Sequence, residues 1–262
     1  MVASIPGAAV VDTSSNDCSD LELERIRLAY QRYANDDGEF DKRDPQNEGL
    51  QWLIAEWRSR LAIRLRALGQ PTPRTRILDL GCGNGELLRW LTELGADPSL
   101  CVGVDLIEER IARARATLPG AQFECGDAGS IGFAAGSFDL VCMSMIVSSI
   151  LDPALSTAVC ETAARALSPQ GVIVLYDTRY PNPFNGDVRS TSIRDARKLF
   201  PGFRFESETI SLIPPLARRL GRTTPRAYRL LSRVPVLRAR RLSLLFPPGA
   251  ANMTPRSPEN AR

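Results

Sequence analysis

Residues 76–91 read Arg-Ile-Leu-Asp-Leu-Gly-Cys-Gly-Asn-Gly-Glu-Leu-Leu-Arg-Trp-Leu, and this stretch decides how the chain folds. A short apolar run, 77–80, stops at three glycines on alternate positions, after which Leu87, Leu88 and Leu91 recur at helical spacing. The pattern predicts a strand, a tight turn and a helix. Glycine suits such a turn because the chain reverses through backbone angles that a Cβ disfavours, and because bare backbone can approach a ligand closely. The turn is therefore predicted to bind a ligand.

The next strand-like run indicates that this ligand contains a nucleoside. Residues 101–104 are apolar and lead into Asp105, at a strand end where a carboxylate can accept hydrogen bonds from ribose hydroxyls. The spacing Gly81-x-Gly83-x-Gly85 is tighter than the dinucleotide fingerprint, whose third glycine follows the second by three residues. An oxidoreductase that uses a nicotinamide cofactor is therefore disfavoured.

At these residues the chain resembles the class I S-adenosylmethionine-dependent methyltransferases. Their acid-x-Gly-x-Gly-x-Gly loop is matched by Asp79 and the three glycines, and the match continues through Asp105, 126–128 and 137–141, covering roughly residues 74–180. The resemblance implies S-adenosylmethionine as cofactor, with the glycine loop at its methionine moiety, Asp105 at the ribose and Asp127 at the adenine amino group. The cofactor-binding residues expected on this basis are Asp79, Gly81, Cys82, Gly83, Gly85, Asp105, Leu106, Asp127, Ala128 and Ser144.

Composition limits the other classes of chemistry. The 262 residues, 44% hydrophobic and 24% charged, suit one α/β domain with appendages. The chain contains no histidine, which excludes a histidine-based acyl transfer and a histidine-rich metal site, and no metal is expected. Its six cysteines form no Cys-x-x-Cys pair and are expected to be small buried hydrophobes in a reducing compartment.

The same features favour a cytoplasmic protein. No apolar run approaches the ~20 residues of a membrane-spanning helix. The first residues lack the basic segment and apolar core of a secretory signal. Association with a membrane surface is a further possibility, because a segment near the C-terminus is strongly basic.

Alternating strand and helix patterns predict the fold. The expected class is an α/β doubly wound, Rossmann-like sheet of seven mostly parallel strands with helices on both faces. Ligands bind at the carboxyl ends of such strands, so Gly81, Asp105, Asp127, Ser144 and Asp177 should share one rim. The predicted strands are 77–80, 101–105, 121–125, 138–143, 171–177, 203–210 and 242–246, the last two paired antiparallel at the sheet edge, and the predicted helices within this core are 85–95, 107–117, 153–167 and 192–200.

The chain is expected to divide into five parts. A flexible tail (1–20) precedes an N-terminal helical lid (21–70), which related methyltransferases often place over the cofactor. The methyltransferase core (71–247) contains a basic helical cap (212–241) before the last strand, and a second flexible tail follows (248–262). For the second helix of the lid the alternative is open that its tryptophans simply pack it on the sheet.

The basic helical cap is unusual in charge. No acid occurs between residues 209 and 258, and residues 201–262 carry twelve arginines against three glutamates, a net of 12 − 3 = +9 in a chain of net +3. This asymmetry predicts an anionic partner, either an acceptor in the active site or an anionic membrane surface. Nucleic acid is disfavoured because Tyr228 is the segment's one aromatic residue. The alternative is a solvated basic face with a buried apolar side.

Methyl transfer to a hydroxyl requires alignment, exclusion of water and removal of a proton. Without histidine, the expected proton acceptors on the rim are Asp177, Tyr176 and Tyr180, although Asp177 could instead cap a turn or hold an arginine. The loop after Asp177 mixes turn formers with aromatic and polar groups, which is typical of substrate contacts. The candidates there are Arg179, Asn182 and Asn185.

The acceptor is expected to be a small molecule methylated chiefly on oxygen. The Asn/Asp-Pro-Pro-Tyr/Phe signature of adenine and glutamine N-methyltransferases is missing after the fourth strand. Residues 177–183, 214–219 and 234–238 resemble bacterial methyltransferases associated with glycan and polysaccharide assembly, which implies a sugar hydroxyl or a glycan phosphate on a nucleotide-linked or lipid-linked carrier. The alternatives are a natural-product O- or N-methyltransferase and a non-catalytic module that binds S-adenosylmethionine or nucleic acid. The oligomeric state is left open.

Overall fold

The computed structural model describes residues 17–35, 47–182, 185–220 and 224–250. Most of the two expected tails, 1–16 and 251–262, therefore lies outside the described residues. The helices are α1 (Asp17–Asn35), α2 (Glu48–Ala67), α3 (Glu86–Glu93), α4 (Glu108–Thr117), α5 (Pro153–Ala166), α6 (Ile193–Leu199), α7 (Pro214–Arg218) and α8 (Thr224–Leu231). The strands are β1 (Ile77–Leu80), β2 (Cys101–Asp105), β3 (Gln122–Cys125), β4 (Phe138–Ser144), β5 (Leu167–Thr178), β6 (Arg204–Leu212) and β7 (Arg238–Phe246).

The seven strands form one sheet in the order β3-β2-β1-β4-β5-β7-β6. The first five are parallel, and β7 pairs antiparallel with both β5 and β6. The predicted doubly wound, mostly parallel fold is confirmed. The last two strands do pair antiparallel, but β6 alone forms the edge while β7 lies inside the sheet between β5 and β6.

The basic helical cap is shorter than expected. Its last arginines, Arg238, Arg240 and Arg241, belong to β7, where Arg238 pairs with Leu212 of β6. The Arg238 guanidinium donates to the carbonyls of Ser232 and Thr209. That of Arg241 donates to the carbonyl of Thr191. Backbone acceptors therefore hold these charged side chains at the start of the strand. The cap itself consists of α7, α8 and a 3₁₀ turn at Pro235–Leu237.

Two apolar layers cover the sheet. Leu65 of α2, Leu88 of α3 and Ile111 of α4 belong to the hydrophobic cluster on one face. Val159 of α5 and Ala196 of α6 belong to the cluster on the other face, together with Ile26 of α1. The two N-terminal helices therefore join different faces of the sheet.

Helix α2 is a packing helix. Its Trp57 ring lies 6.3 Å from the Trp90 ring and 5.0 Å from the Tyr176 ring, centroid to centroid. Its Trp52 ring lies 6.0 Å from that of Tyr228 in the cap. Trp57 therefore packs α2 on the sheet, as the simpler alternative proposes, whereas Trp52 attaches it to the cap.

Buried polar groups fix the cap on α2. The Tyr228 hydroxyl donates to Glu56 Oε2 at 2.6 Å, and the same oxygen accepts the backbone N–H of Ser211 at 3.0 Å. Ser211 lies in the left-handed region, at φ 62°, and its Oγ is 3.2 Å from the Tyr176 hydroxyl.

Within the described ranges, no helix combines the length and the apolarity that crossing a membrane requires.

Candidate functional site

The glycine loop after β1 is held by the neighbouring strand. The N–H groups of Gly81 and Cys82 both donate to the carbonyl of Val104, at 2.8 and 2.9 Å. Gly81 and Gly83 have φ values of 75° and 55°, which side-chain-bearing residues rarely adopt. The loop therefore requires glycine for its conformation, and its backbone faces the cleft without side chains.

A fourth glycine, which the sequence analysis missed, lets the loop pack closely. A Cβ on Gly103 of β2 would lie 2.6 Å from the Phe123 ring and 2.8 Å from Cys82 Sγ. Any larger residue at position 103 would force the glycine loop or the Phe123 side chain of β3 out of its observed position. A lone glycine inside a strand pattern is the signal that could have revealed this close contact.

Asp105 joins the glycine loop to the start of α4. Its Oδ2 accepts the N–H of Gly83 at 2.8 Å, and its Oδ1 accepts the N–H of Ile107 at 3.1 Å. The Arg110 guanidinium lies 3.9 Å from Oδ2. A carboxylate has about four acceptor positions, so each oxygen can still accept one further donor. This geometry suits two adjacent ribose hydroxyls.

The turn after β3 supplies a second acid. Oδ1 of Asp127 accepts the N–H of Gly129 at 2.8 Å, which fixes the carboxylate. No described residue donates to its Oδ2. Gly126 and Ala128 lie beside it in the cleft wall, and a Cβ on Gly126 would meet nothing within 4 Å. The turn can therefore offer one carboxylate oxygen to an amino group of a ligand.

The opposite wall follows β4. Met145 has φ 60°, a strained conformation for a residue with a side chain. Its N–H donates to the carbonyl of Tyr176 at 2.8 Å, and its own carbonyl accepts the Ser149 hydroxyl at 2.8 Å. A Cβ on Gly81 would lie 3.3 Å from Ile146. Strain of this kind often marks a binding site, where surrounding contacts hold the backbone in place.

Helix α1 covers the cleft. Leu23, Ile26 and Tyr30 line it, and the Arg110 guanidinium stacks 4.1 Å from the centre of the Tyr30 ring. The Tyr30 hydroxyl is 3.1 Å from Ser149 Oγ. Of the two helices in the expected lid, α1 contributes these residues, whereas no residue of α2 lines the cleft.

These elements enclose one cleft of about 600 Å³, part of which is open to solvent. Six of the ten predicted cofactor residues line it, namely Gly81, Asp105, Leu106, Asp127, Ala128 and Ser144. Cys82, Gly83 and Gly85 instead shape the loop beside it.

Asp79 lies beneath the loop and lacks a partner. It is 1% exposed, and neither carboxyl oxygen has a hydrogen-bond partner among the described residues. Burial, together with the charge of Asp105, holds the pKa of Asp79 well above its usual range. A buried polar group without a partner calls for a donor from outside the chain or for a proton of its own.

Asp177 is buried in a hydrogen-bond network and does not line the cleft. Its Oδ2 accepts the N–H of Ser148 at 2.9 Å, and its Oδ1 accepts the N–H of Thr178 at 2.7 Å. The Thr191 hydroxyl lies 3.4 Å from Oδ2. Burial raises the pKa of Asp177. The carboxylate therefore holds the turn after β4 in place, and the geometry favours positioning over removal of an acceptor's proton.

The two predicted tyrosines lie elsewhere on the rim. Tyr176 packs on the α2 face against Trp57, and burial raises its pKa. Tyr180 is 36% exposed, with the Arg179 guanidinium 4.8 Å from the centre of its ring. Neither lines the cleft.

The predicted substrate residues are distributed over the loop after β5. Arg179 donates to the carbonyls of Pro235 and Arg238, at 2.7 and 3.2 Å, and so ties this loop to the cap. Oδ1 of Asn185 accepts the Tyr33 hydroxyl at 2.9 Å, which ties the loop to α1. Asn182 is exposed, and residues 183–184 lie outside the described ranges.

Unpaired positive charge gathers where this loop meets β7. Asp177 and Thr178 of β5 pair with Arg241 and Arg240 of β7, and the N–H of Arg179 donates to the carbonyl of Ala239. Burial and the neighbouring Arg179 lower the pKa of Arg241. Among the described residues, no carboxylate lies within ion-pair distance of these three arginines. This end of the sheet is therefore suited to an anion.

Several cleft residues had no clear signal in the sequence. Met145 and Ile146 lie within an apolar run that resembles an ordinary strand and turn. Arg110 appears only as one of several arginines on the polar side of α4. Tyr30 did carry a signal, since it follows the helical periodicity of α1, but only the packing shows that this periodicity faces the cleft.

Comparison with known proteins agrees with this architecture. Residues 77–171 match the family model described as a methyltransferase domain. An uncharacterized methyltransferase of Synechocystis is 32% identical over 111 residues, which cover 42% of this chain and 50% of that protein. The nocamycin O-methyltransferase of Saccharothrix syringae is 37% identical over 120 residues, covering 44% of this chain and 42% of that protein. The matched region thus spans about half or less of these relatives.

A solved structure shows the same fold. The S-adenosylmethionine-dependent methyltransferase of Mesorhizobium loti superimposes with a TM-score of 0.51 and 24% identity, over 70% of this chain and 95% of that one. The chain therefore has the predicted Rossmann-like, mostly parallel fold, and its residues 77–171 are similar to a methyltransferase domain, so this part of the sequence-based prediction is confirmed. The predicted roles of individual residues stay predictions.

Proposed function

We propose that the protein is an S-adenosylmethionine-dependent methyltransferase that methylates an oxygen of a small anionic acceptor, such as a sugar derivative. The observation that carries the proposal is the cleft, in which the Gly81 turn, Asp105 and Asp127 converge within a methyltransferase domain. The family match supports the reaction class, and the chemistry of the cleft supports the cofactor.

The residues present fit S-adenosylmethionine. Asp105 would accept the ribose hydroxyls, and the free oxygen of Asp127 would accept the adenine amino group. Apolar residues on both sides, among them Leu106 and Ile146, would enclose the base. Asp79, whose oxygens lack partners, lies beneath the loop, and a cationic group bound nearby would favour its ionised form. When bound, the cofactor supplies a sulfonium methyl group that is ready for displacement.

The chain's own contribution is alignment and exclusion of water. Asp177 fixes the N–H of Ser148 and thereby the strained turn at Met145. Helix α1 closes the cleft over this turn. Of the three predicted proton acceptors, Tyr180 has the most accessible side chain and remains our candidate for contact with the acceptor.

The unpaired arginines at the β5–β7 end support an anionic acceptor. Arg179 and Arg241, which lie close enough to repel one another, would hold a carboxylate or phosphate through charge-assisted hydrogen bonds. Nocamycin O-methyltransferase, a relative by sequence, is named for transfer to oxygen. A sugar or glycan acceptor rests on the weaker resemblance of the C-terminal half, and a natural-product acceptor is the alternative.

Calorimetric titration with S-adenosylmethionine and S-adenosylhomocysteine tests the cofactor. We expect micromolar binding, weakened on the order of 10- to 100-fold in Asp105→Ala, because charged hydrogen bonds to the ribose would be lost. Asp127→Ala should also weaken binding, because the acceptor for the adenine amino group would be lost. The conformation of the glycine loop should stay unchanged in this variant. Asp97→Ala, at a half-buried carboxylate that does not line the cleft, is the matched control. Absence of binding by the folded wild-type chain would overturn the proposal.

Turnover separates the enzyme from a binding module. Release of S-adenosylhomocysteine would be measured with hydroxyl acceptors that carry a phosphate or carboxylate, next to neutral analogues. We expect turnover only with the charged members, and its loss in Arg241→Gln with the cofactor affinity unchanged. Cofactor binding without turnover on any acceptor would favour the non-catalytic alternative. Equal turnover of neutral analogues would exclude the anionic acceptor while keeping the reaction class.

A further inference from the structure

The outer side of the cap carries a cluster of exposed aliphatic side chains. Leu230 is 65% exposed, Val234 42% and Val236 63%, all within one segment of α8 and the turn that follows. We name the exposed residues of 226–236 the cap patch. The other exposed large aliphatic residues, Leu21, Leu28 and Ile63, are scattered over α1 and α2. Single exposed hydrophobic residues are ordinary, whereas a cluster marks an interaction surface.

The packing of α8 explains why these side chains face outward. Tyr228 is 3% exposed and packs against Trp52, with its hydroxyl bonded to Glu56. This contact fixes the inner side of α8 on α2. Leu230 then lies on the outer side, two positions along the helix, where no described residue covers it.

Arginines alternate with the aliphatic residues of the cap patch. Arg226, Arg229 and Arg233 are all exposed. None of them forms an ion pair with a described carboxylate, and the sequence contains no acid between Glu208 and Glu259. The surface is therefore both apolar and strongly positive.

We propose that the cap patch binds the surface of an anionic lipid bilayer. Short aliphatic side chains can enter the boundary between headgroups and acyl chains while neighbouring arginines contact the lipid phosphates. A single-stranded nucleic acid would instead require exposed aromatic side chains for stacking, and the one aromatic residue of this segment, Tyr228, is buried and lies outside the patch. The small apolar area makes the contact shallow and reversible.

Sedimentation with lipid vesicles tests the proposal on the full chain. We expect binding to vesicles containing about one third phosphatidylglycerol, little binding to pure phosphatidylcholine, and weakening by salt. Leu230→Ser combined with Val236→Ser should lower partitioning by roughly tenfold or more. Arg226→Gln combined with Arg233→Gln should lower it on the order of 10- to 30-fold, since each arginine near such a surface contributes about 1 kcal/mol.

Matched controls make the result specific. Ile63→Ser removes an aliphatic side chain of similar exposure, 59%, from α2. Arg74→Gln combined with Arg113→Gln removes the same charge from exposed positions outside the cap. Both controls should bind vesicles like the wild type, and all variants should keep their circular dichroism spectrum.

Three outcomes would overturn the proposal. Absence of binding to anionic vesicles is one, and an equal loss in the control variants is another. The third is tighter binding to a single-stranded oligonucleotide that competes with vesicles and depends on the same arginines, which would assign the cap patch to nucleic acid. None of these outcomes depends on cofactor binding or turnover.

Discussion

Asp177 shows how a buried carboxylate can serve a binding site that it does not touch. It accepts two backbone N–H groups, from Ser148 and Thr178, and it is 3% exposed. Ser148 belongs to the turn that begins at the strained Met145, so the position of the cleft wall depends on this carboxylate. Because it is buried and does not line the cleft, this carboxylate is poorly placed to take an acceptor's proton.

Substitution of Asp177 separates the two roles. Asp177→Ala should lower the free energy of unfolding by about 2–4 kcal/mol, because two buried N–H groups lose their acceptor. Asp177→Asn keeps one acceptor oxygen, so we expect a smaller loss of stability and a decrease in kcat of less than tenfold. Urea denaturation and steady-state kinetics measure both. A 10²- to 10⁴-fold decrease in kcat for Asp177→Asn at unchanged stability would instead identify a general base.

At the scale of elements, a few polar contacts hold α1 in place over the cleft. Glu22 Oε1 accepts the N–H groups of Leu151 and Asp152, and both of its oxygens accept from Arg25. Arg25 also donates to the carbonyl of Ser149. Burial acts to raise the pKa of Glu22, but the Arg25 guanidinium and the backbone donors outweigh it, so the pKa is lowered. The contribution of these contacts to stability is therefore complete above pH 4.5, and it decreases as the pH falls below 4.5.

Removal of Glu22 should release α1. In Glu22→Ala we expect amide hydrogen exchange in α1 at neutral pH to accelerate roughly 30-fold, since charged hydrogen bonds contribute about 2 kcal/mol. Affinity for S-adenosylhomocysteine should fall as well, because Leu23, Ile26 and Tyr30 would no longer cover the cleft. Glu24→Ala removes an exposed carboxylate from the same helix and is the control. Equal exchange rates in both variants would show that Glu22 does not hold the helix.

Helix α2 meets the cap through a glycine. A Cβ on Gly49 would lie 2.0 Å from the carbonyl oxygen of Ala217 in α7. Gly49→Ala should therefore lower the free energy of unfolding by about 1–3 kcal/mol, although alanine favours helices intrinsically. In Gly186→Ala the new Cβ meets nothing within 4 Å, and no loss is expected. Chemical denaturation compares the two, and equal stabilities would contradict the close packing of α2 and α7.

At the scale of the whole molecule, buried carboxyl groups make stability depend on pH. Burial raises the pKa of both Asp79 and Asp177 above the 3.8 of an exposed aspartate. A raised pKa means that the folded state binds the proton more tightly than the unfolded state. The stabilisation is therefore complete below pH 3.8 and is lost as the pH rises through the folded-state pKa.

Asp79→Asn should flatten this dependence. For the cofactor-free wild type, the free energy of unfolding should fall more steeply with rising pH than for the variant, because asparagine does not ionise. Asp177 contributes equally to both proteins. Urea titrations at several pH values give the two profiles. Parallel profiles would mean that Asp79 keeps an ordinary pKa and has a partner that the structure does not show.

Prediction from sequence succeeded where the signal is local. The turn at Gly81–Gly85 and the acids Asp105 and Asp127 follow strands directly, and parallel strands bring their carboxyl ends to one edge. The strand–helix alternation likewise predicted the sheet, because side-chain periodicity reports which face of each element is buried. These features could be predicted from short-range sequence patterns together with the rule that ligands bind at the carboxyl ends of parallel strands.

The tertiary structure alone decided which side chains meet across the chain. It placed α1, and not α2, over the cleft, and it put β7 inside the sheet with three arginines at its start. It also turned Asp177 inward and left Leu230 uncovered. Each outcome depends on contacts between residues far apart in sequence, such as Glu22 with Leu151 or Tyr228 with Glu56. Local periodicity carries no information on such pairs, because it specifies that a face is buried without specifying what buries it.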